Sequence, residues 1–470
     1  MQASESCGII GIFSSRQCSI DIFYGLRALQ HRGQESAGIA TFHEDSVHRI
    51  LGPGLVHNAF TRDQVRNLNG ARGIGHVRYP TTGGADPRNI QPLVVSSLAG
   101  DVALAHNGDI VNSSDLRNEL HGKGWSFLSR SDSEIIVRII IHEMSRSNGD
   151  PVLGIQKAMD RLVGSYALVM LVGDRVFTVR DPHGIKPLCL GQLSPFGLVV
   201  ASESCALDVL GARFLRDVAP GEVLELTAER AVSHSVRASP NTAHCMFEYV
   251  YFSRPDSVLD GRSVYKARTE MGRALAREFP VEADVVVPVP DSGRAHALGF
   301  SEVSGIPMRE GLIKNRYVHR TFIMGESEKR KRAMSLKLTP NRAVIQGKRV
   351  VLLDDSIVRG TTMGQIVQML RKAGAMEVHV RIGSPPILSP CYYGIDMKTR
   401  DQFIAKPNQK REAICAKVAK SINANTVGYV TVEGLVRAIG KSEDDMCLGC
   451  LARGYPTSVP KERTRKLRGK

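Results

Sequence analysis

The sequence predicts a two-domain chain, α+β in its first half and α/β in its second: stacked sheets covered by helices, then a parallel sheet flanked by helices. Three observations carry this. The 470 residues exceed what one hydrophobic core usually organises. The first half is dense in short alternating or β-branched runs with few helical patterns between them. The second half changes to continuous apolar runs, each followed by a polar loop and a helical pattern, as strands buried on both faces do.

Taken in order, strands are expected at residues 6–13, 37–42, 73–78, 102–106, 165–172 and 176–180. Helices are expected at 21–30, where Ile22, Phe23, Leu26 and Leu29 share a face, and at 133–144. The change of style falls near 230–245, where Ser, Pro, Asn and Thr gather at 239–242. Beyond it, residues 285–290 and 350–353 read as buried strands. The expected division is a leader, 1–6; a first domain, 7–238; a second, 239–455; and a basic tail, 456–470.

Composition narrows the function. No apolar run approaches the roughly 18 residues of a spanning helix, and residues 1–6 are too short and polar for a secretory signal. A cytoplasmic protein without membrane contact is expected. The formal charge of +15 concentrates at 329–332 and 461–470 and suits small polyanions or nucleic acid. A single Trp and 6% aromatic residues argue against a base-stacking surface, so nucleic acid is not expected. Nine cysteines, an odd number spread along the chain, suggest catalysis or metal binding rather than a disulfide framework.

Cys7 opens the first strand. If residues 1–6 were removed, Cys7 would carry a thiol of reference pKa about 8.5 beside an α-amine of about 7.7–8.0. That amine could take the thiol proton and later return it to a leaving amine, which an amide nitrogen cannot do. Four more motifs follow in order: Gln30-His31-Arg32-Gly33-Gln34-Glu35, Gly75-His76-Val77-Arg78-Tyr79-Pro80-Thr81, His106-Asn107-Gly108 at a strand end, and Ser131-Asp132-Ser133-Glu134 at a helix start. Singly, Asp132 reads as a helix N-cap and Arg78 as a surface ion pair. Together the set resembles the N-terminal-nucleophile glutamine amidotransferases over roughly residues 7–235. The resemblance implies an αββα sandwich, Cys7 as nucleophile, and the Asn107 side chain with the Gly108 N–H as oxyanion hole. It also implies Arg78 for the glutamine carboxylate, Asp132 for its ammonium, and Arg32 and Gly33 shaping the site. A liberated amine makes a histidine base unnecessary, so His31 and His76 are expected to be structural.

In the second half, a strand delivers Asp354 and Asp355 to its C-terminal end. Ser356, Arg359, Gly360, Thr361 and Thr362 follow, then a helix to about Gly374. Ligands of open α/β sheets sit outside the strands' carboxyl ends, helix-start N–H groups favour phosphate, and the acids suit ribose hydroxyls or Mg²⁺. The stretch resembles the phosphoribosyl pyrophosphate (PRPP) signature of type I phosphoribosyltransferases, over roughly 245–440. By that resemblance the 285–294 loop faces pyrophosphate, with Ser292 joining Asp354 and Asp355 around Mg²⁺. Residues 314–337 resemble the family's lid. There Met334-Ser335-Leu336-Lys337 lacks the usual arginine, and Arg332 is the candidate substitute.

Cys245, Cys391, Cys447 and Cys450 suit either an iron–sulfur cluster or zinc by chemistry alone. Their positions, with the short leader before Cys7, resemble the cluster-bearing branch of the glutamine PRPP amidotransferases, which implies a 4Fe–4S cluster. Cys18, Cys189, Cys205 and Cys415 are expected to be packing residues. The implied reaction converts PRPP, glutamine and water to 5-phosphoribosylamine, pyrophosphate and glutamate, the first step of de novo purine synthesis. Ammonia would cross a dry internal path. Feedback inhibition by purine nucleotides and a homotetramer are further implications. Two rivals remain at this point: an amidase fused to a PRPP sensor, and a basic nucleic-acid-binding regulator.

Overall fold

The structure, a computed structural model, describes residues 7–79, 86–97, 100–195, 197–315, 338–397, 400 and 403–460. The leader, Pro80 and Thr81, the greater part of the expected lid with Met334-Ser335-Leu336-Lys337, and tail residues 461–470 lie outside the described residues. Contacts divide the chain into two units. The described residues of the first are 7–244, 391–395 and 453–460; the second takes those of 245–390 and 396–452.

The first unit stacks two antiparallel sheets. One runs Arg213–Asp217, Cys189–Leu193, Gly197–Ala201, Gly8–Ser14, Arg72–Arg78, Ser36–His43, Ser46–Pro53. The other runs Ala231–Val236, Glu222–Leu226, Arg175–Arg180, Gly164–Val172, Gly100–Ile110, Leu93–Ser97. Ile9, Ala40 and Ile74 of the first sheet form one core with Ala105, Ala167 and Val169 of the second. The approach is close: a Cβ at Gly11 would fall 2.3 Å from Val169 Cγ1. Helix Ser19–Ala28 buries Ile22 and Leu26 on one outer face, and helix Asp132–Ser145 buries Ile135, Ile136, Ile139 and Ile140 on the other. Each such side chain contributes about 1.5–3 kcal/mol, and the layering is the expected αββα sandwich.

The second unit holds a four-stranded parallel sheet in the order Val285–Pro288, Arg349–Asp354, Glu377–Ile382, Thr426–Tyr429. Val350, Val351, Leu352 and Leu353 are all fully buried, as an uninterrupted apolar run requires. Helices Gly293–Ser304, Thr361–Lys372 and Arg411–Ile422 alternate with the strands.

Most strand limits fall within two residues of expectation, and two departures bear on the sites. The strand expected at 102–106 runs Gly100–Ile110, so Asn107 and Gly108 lie inside it, opposite Ala167 and Tyr166. The strand expected at 285–290 stops at Pro288, because Pro290 has no N–H to continue a ladder.

Candidate active sites

Cys7 stands immediately before strand Gly8–Ser14 and is buried, with Sγ 3.8 Å from the Tyr79 carbonyl. Burial pushes the thiol pKa up; the Tyr79 contact and the charges of Arg78, Lys186 and Arg32 only partly oppose it. A thiol held protonated needs a base to become a nucleophile. Arg32, fully buried, donates from Nε to the Cys7 carbonyl at 2.9 Å and from Nη1 to Glu203 Oε1 at 2.6 Å. His31 Nε2 meets the same carboxylate oxygen at 2.8 Å. Burial alone would raise the Glu203 pKa, but His31 and Arg32 outweigh it and hold the carboxyl well below its usual range. Beside it, Ser202 Oγ accepts the Ile9 N–H at 3.0 Å. Ser202 and Glu203 thus anchor the start of the strand that follows Cys7, and sequence reasoning missed both. Gly33 is required by space: a Cβ would stand 2.6 Å from the Arg78 backbone.

Asn107 is fully buried. Gly108 has φ +153°, and a Cβ there would fall 2.1 Å from the Ser165 carbonyl oxygen. Only glycine tolerates that approach. The preceding His106 is fixed on three sides: its N–H donates to Gln91 Oε1 (2.8 Å), its Nδ1 meets Ser133 Oγ (3.0 Å), and its carbonyl meets His76 Nε2 (3.1 Å). Burial, with the nearby Arg78 charge, pushes His76 down to about 3, so its ring stays neutral. Asp132 is the first helical residue; Ser131 is the N-cap, its Oγ accepting the Ser133 N–H. Asp132 Oδ2 instead accepts the Ile110 N–H at 3.3 Å, tying the helix to the strand of Asn107 and Gly108. Arg78 is buried and pairs with Glu35 Oε2 at 2.6 Å.

In the second unit, Ser292 Oγ donates to Asp355 Oδ1 and Ser356 Oγ to Asp355 Oδ2, both at 2.7 Å. The Asp355 N–H donates to Asp354 Oδ1 at 2.9 Å. A Cβ at Gly293 would meet the Leu353 carbonyl at 2.5 Å, which lets the Ser292 loop close onto the strand carrying the acids. Gly360, at φ +76°, turns the chain into helix Thr361–Lys372, so Arg359, Thr361 and Thr362 flank a helix start. Two carboxylates and a hydroxyl are hard oxygen donors, the chemistry Mg²⁺ takes.

No disulfide joins any of the nine cysteines. Cys245 and Cys447 lie on paired two-residue strands, and the Cys450 carbonyl accepts the Leu388 and Ser389 N–H groups. Cys391 belongs to the first unit. The four thiols have the donor chemistry of an iron–sulfur cluster, yet among the described residues no three His, Cys, Asp or Glu side chains gather as a metal-holding group. Cys18, Cys189, Cys205 and Cys415 are buried.

A glutaminase-type sandwich with a buried cysteine at its first strand, followed by a parallel sheet with a serine-bonded acidic pair, defines the class: a glutamine amidotransferase joined to a phosphoribosyltransferase. A glutamine amidotransferase domain family matches residues 81–209. The amidophosphoribosyltransferase of Methanocaldococcus jannaschii is 49% identical over 470 residues, covering 96% of this chain and 98% of that one. That of Bacillus subtilis is 43% identical over 461 residues, covering 97% and 95%. The solved structure of the B. subtilis PRPP amidotransferase complexed with ADP and GMP superposes with a TM-score of 0.89 at 42% identity, over 97% of this chain and 98% of that one. The chain belongs to the amidophosphoribosyltransferase family.

Proposed function

We propose that the chain transfers the amide nitrogen of glutamine to PRPP, giving 5-phosphoribosylamine, pyrophosphate and glutamate, as the first step of de novo purine synthesis. The observation that carries this is one polypeptide holding both a cysteine clamped by Arg32–Glu203 and a Ser292–Asp355 pair at a parallel strand's end. In this reading residues 1–6 are removed, and the new amine of Cys7 takes its thiol proton. Sγ attacks the glutamine amide carbon, and the Asn107 side chain and Gly108 N–H receive the oxyanion; the tetrahedral adduct then collapses to a thioester, expelling ammonia with the proton returned by the Cys7 amine, and water hydrolyses the thioester to glutamate. Arg78 and Asp132 bind the glutamine carboxylate and ammonium. Ammonia kept from water remains unprotonated and attacks ribose C1 as pyrophosphate leaves. Ser356, Arg359, Gly360, Thr361 and Thr362 hold the 5-phosphate. Mg²⁺ held by Ser292, Asp354 and Asp355 would neutralise charge on the departing pyrophosphate. A 4Fe–4S cluster on Cys245, Cys391, Cys447 and Cys450 would clasp chain segments far apart in sequence.

We further propose residues 7–238 as the glutaminase domain and 239–455 as the transferase domain, with 391–395 packed into the first. A cytoplasmic homotetramer inhibited by purine nucleotides completes the proposal. Among the described residues, no helix is long and apolar enough to cross a membrane.

Intact mass of the purified protein should correspond to a chain beginning at Cys7. Cys7→Ala should abolish glutamine use while keeping ammonia-dependent phosphoribosylamine formation; a well-folded variant that loses both overturns the transferase assignment. For the cluster, brown protein with iron and acid-labile sulfide is the expected result, and colourless protein with stoichiometric zinc contradicts it.

A further inference from the structure

The strand carrying Asn107 and Gly108 is backed by a segment from the far end of the sequence. Residues 391–395 pack within the first unit, although Pro390 before them and Asp396 after them belong to the second. Gly394 adopts φ +96°, and a Cβ there would stand 3.1 Å from both the carbonyl carbon and oxygen of Gly108. The adjacent Tyr393 carbonyl accepts a 3.0 Å hydrogen bond from Ser165 Oγ. The same Oγ accepts the Asp109 N–H at 3.3 Å. The Gly108–Asp109 peptide therefore has position 394 close behind its carbonyl, with little room for a side chain there, and is held at its N–H through Ser165 and Tyr393.

The segment is itself fixed. Tyr393 and Ile395 are 3% and 2% exposed. The Tyr393 hydroxyl meets Thr457 Oγ1 at 2.8 Å and accepts the Thr457 N–H at 3.2 Å. The Tyr455 ring packs edge-on against Tyr393 with centroids 6.1 Å apart.

We infer that residues 391–395 form a strap that positions the oxyanion hole. This rests on the reading of Asn107 and Gly108 as oxyanion donors. Such donors work only when aimed at the place the oxyanion will occupy, within about 2.7–3.1 Å. Turning the peptide after Gly108 shifts Gly108 itself, and with it the direction of its N–H. Gly394, Tyr393 and Ser165 fix that peptide without touching substrate, so they are positioning residues. The strap continues covalently into residues of the second unit at both ends.

Two variants of the full chain test this. Gly394→Ala places a methyl group against Gly108 in a backbone conformation that disfavours it; Ser165→Ala removes the Tyr393 hydrogen bond without adding volume. The measurements are kcat and KM for glutamine hydrolysis, ammonia-dependent phosphoribosylamine formation, and the rate of iodoacetamide alkylation mapped at Cys7 by mass spectrometry. Alkylation needs the thiol but no oxyanion hole. Gly394→Ala should lower glutaminase kcat by about 10-fold, less than the ~100–1,000-fold of losing a donor outright. Its KM, ammonia-dependent activity and alkylation rate should stay near wild type. Ser165→Ala should show the same pattern with a smaller fall. Unchanged kcat in both variants overturns the inference, as does a parallel fall of every readout. Cys7→Ala run alongside separates the two levels: if it still uses glutamine, the glutaminase reading itself fails; if it does not while both strap variants match wild type, only the strap is wrong.

Discussion

Arg32 and Glu203 illustrate what single residues reveal. Cys7, Asn107, Asp354 and Asp355 announce themselves because each sits in a motif whose neighbours make sense of its chemistry. Glu203 has no such company. Its partner lies 171 positions earlier, and a lone acid after a short strand carries no signal until the fold closes. The structure shows why it matters: it is the buried carboxylate opposite the guanidinium that grips the Cys7 carbonyl. Glu203→Gln removes the charge but keeps the shape. Leaving a buried charge without its counter-ion typically costs about 3–5 kcal/mol. The variant should therefore lose stability of that order in denaturant melts and lose glutamine-dependent turnover far more than ammonia-dependent turnover. A wild-type melting curve would contradict the clamp. Ser131, the N-cap that Asp132 alone resembled, was hidden for a simpler reason: adjacent polar residues compete for one capping position, and only geometry chooses between them.

Among elements, the buried parallel strands were legible because continuous apolar runs have one good reading when bounded by loops and helices. The strand Gly100–Ile110 was not fully legible. Glycine usually weakens a strand, so the pattern suggested an end at His106, whereas Gly108 is retained because its neighbour's carbonyl leaves room for nothing larger. Short strands such as Leu93–Ser97 and Arg213–Asp217 were missed because pairing, not local pattern, forms them. Two elements also carry buried neutral histidines. His76 on strand Arg72–Arg78 and His296 on helix Gly293–Ser304 are each pushed down by burial to about 3. The unfolded chain binds protons at both near 6.5, so their stabilisation is complete above that pH and drains away as pH falls towards 3. Each can contribute a slope of up to about 1.4 kcal/mol per pH unit within that window. His76→Gln should flatten the acid dependence: the difference in unfolding midpoint between about pH 7 and about pH 4.5 should shrink relative to wild type. An unchanged difference would mean that His76 is not protonated selectively on unfolding.

At the scale of the whole molecule, the change from alternating strands to apolar runs revealed two halves and their order. It could not reveal that residues 391–395 and 453–460 of the later half belong to the earlier one. Nothing in Cys391–Ile395 beyond its cysteine distinguishes it, and Ser165, which bonds Tyr393, stands 228 positions away. This interleaving bears on how such enzymes can be recombined. A chimaera joining the first 244 residues of one relative to the remainder of another brings foreign neighbours against Ser165 and Gly108. Glutamine-dependent activity should be poor in that hybrid and improve when positions 391–395 come from the donor of the first half, with ammonia-dependent activity as the comparison. Inheritance of these two activities is thus linked through a short stretch that no cut at the domain seam can separate cleanly.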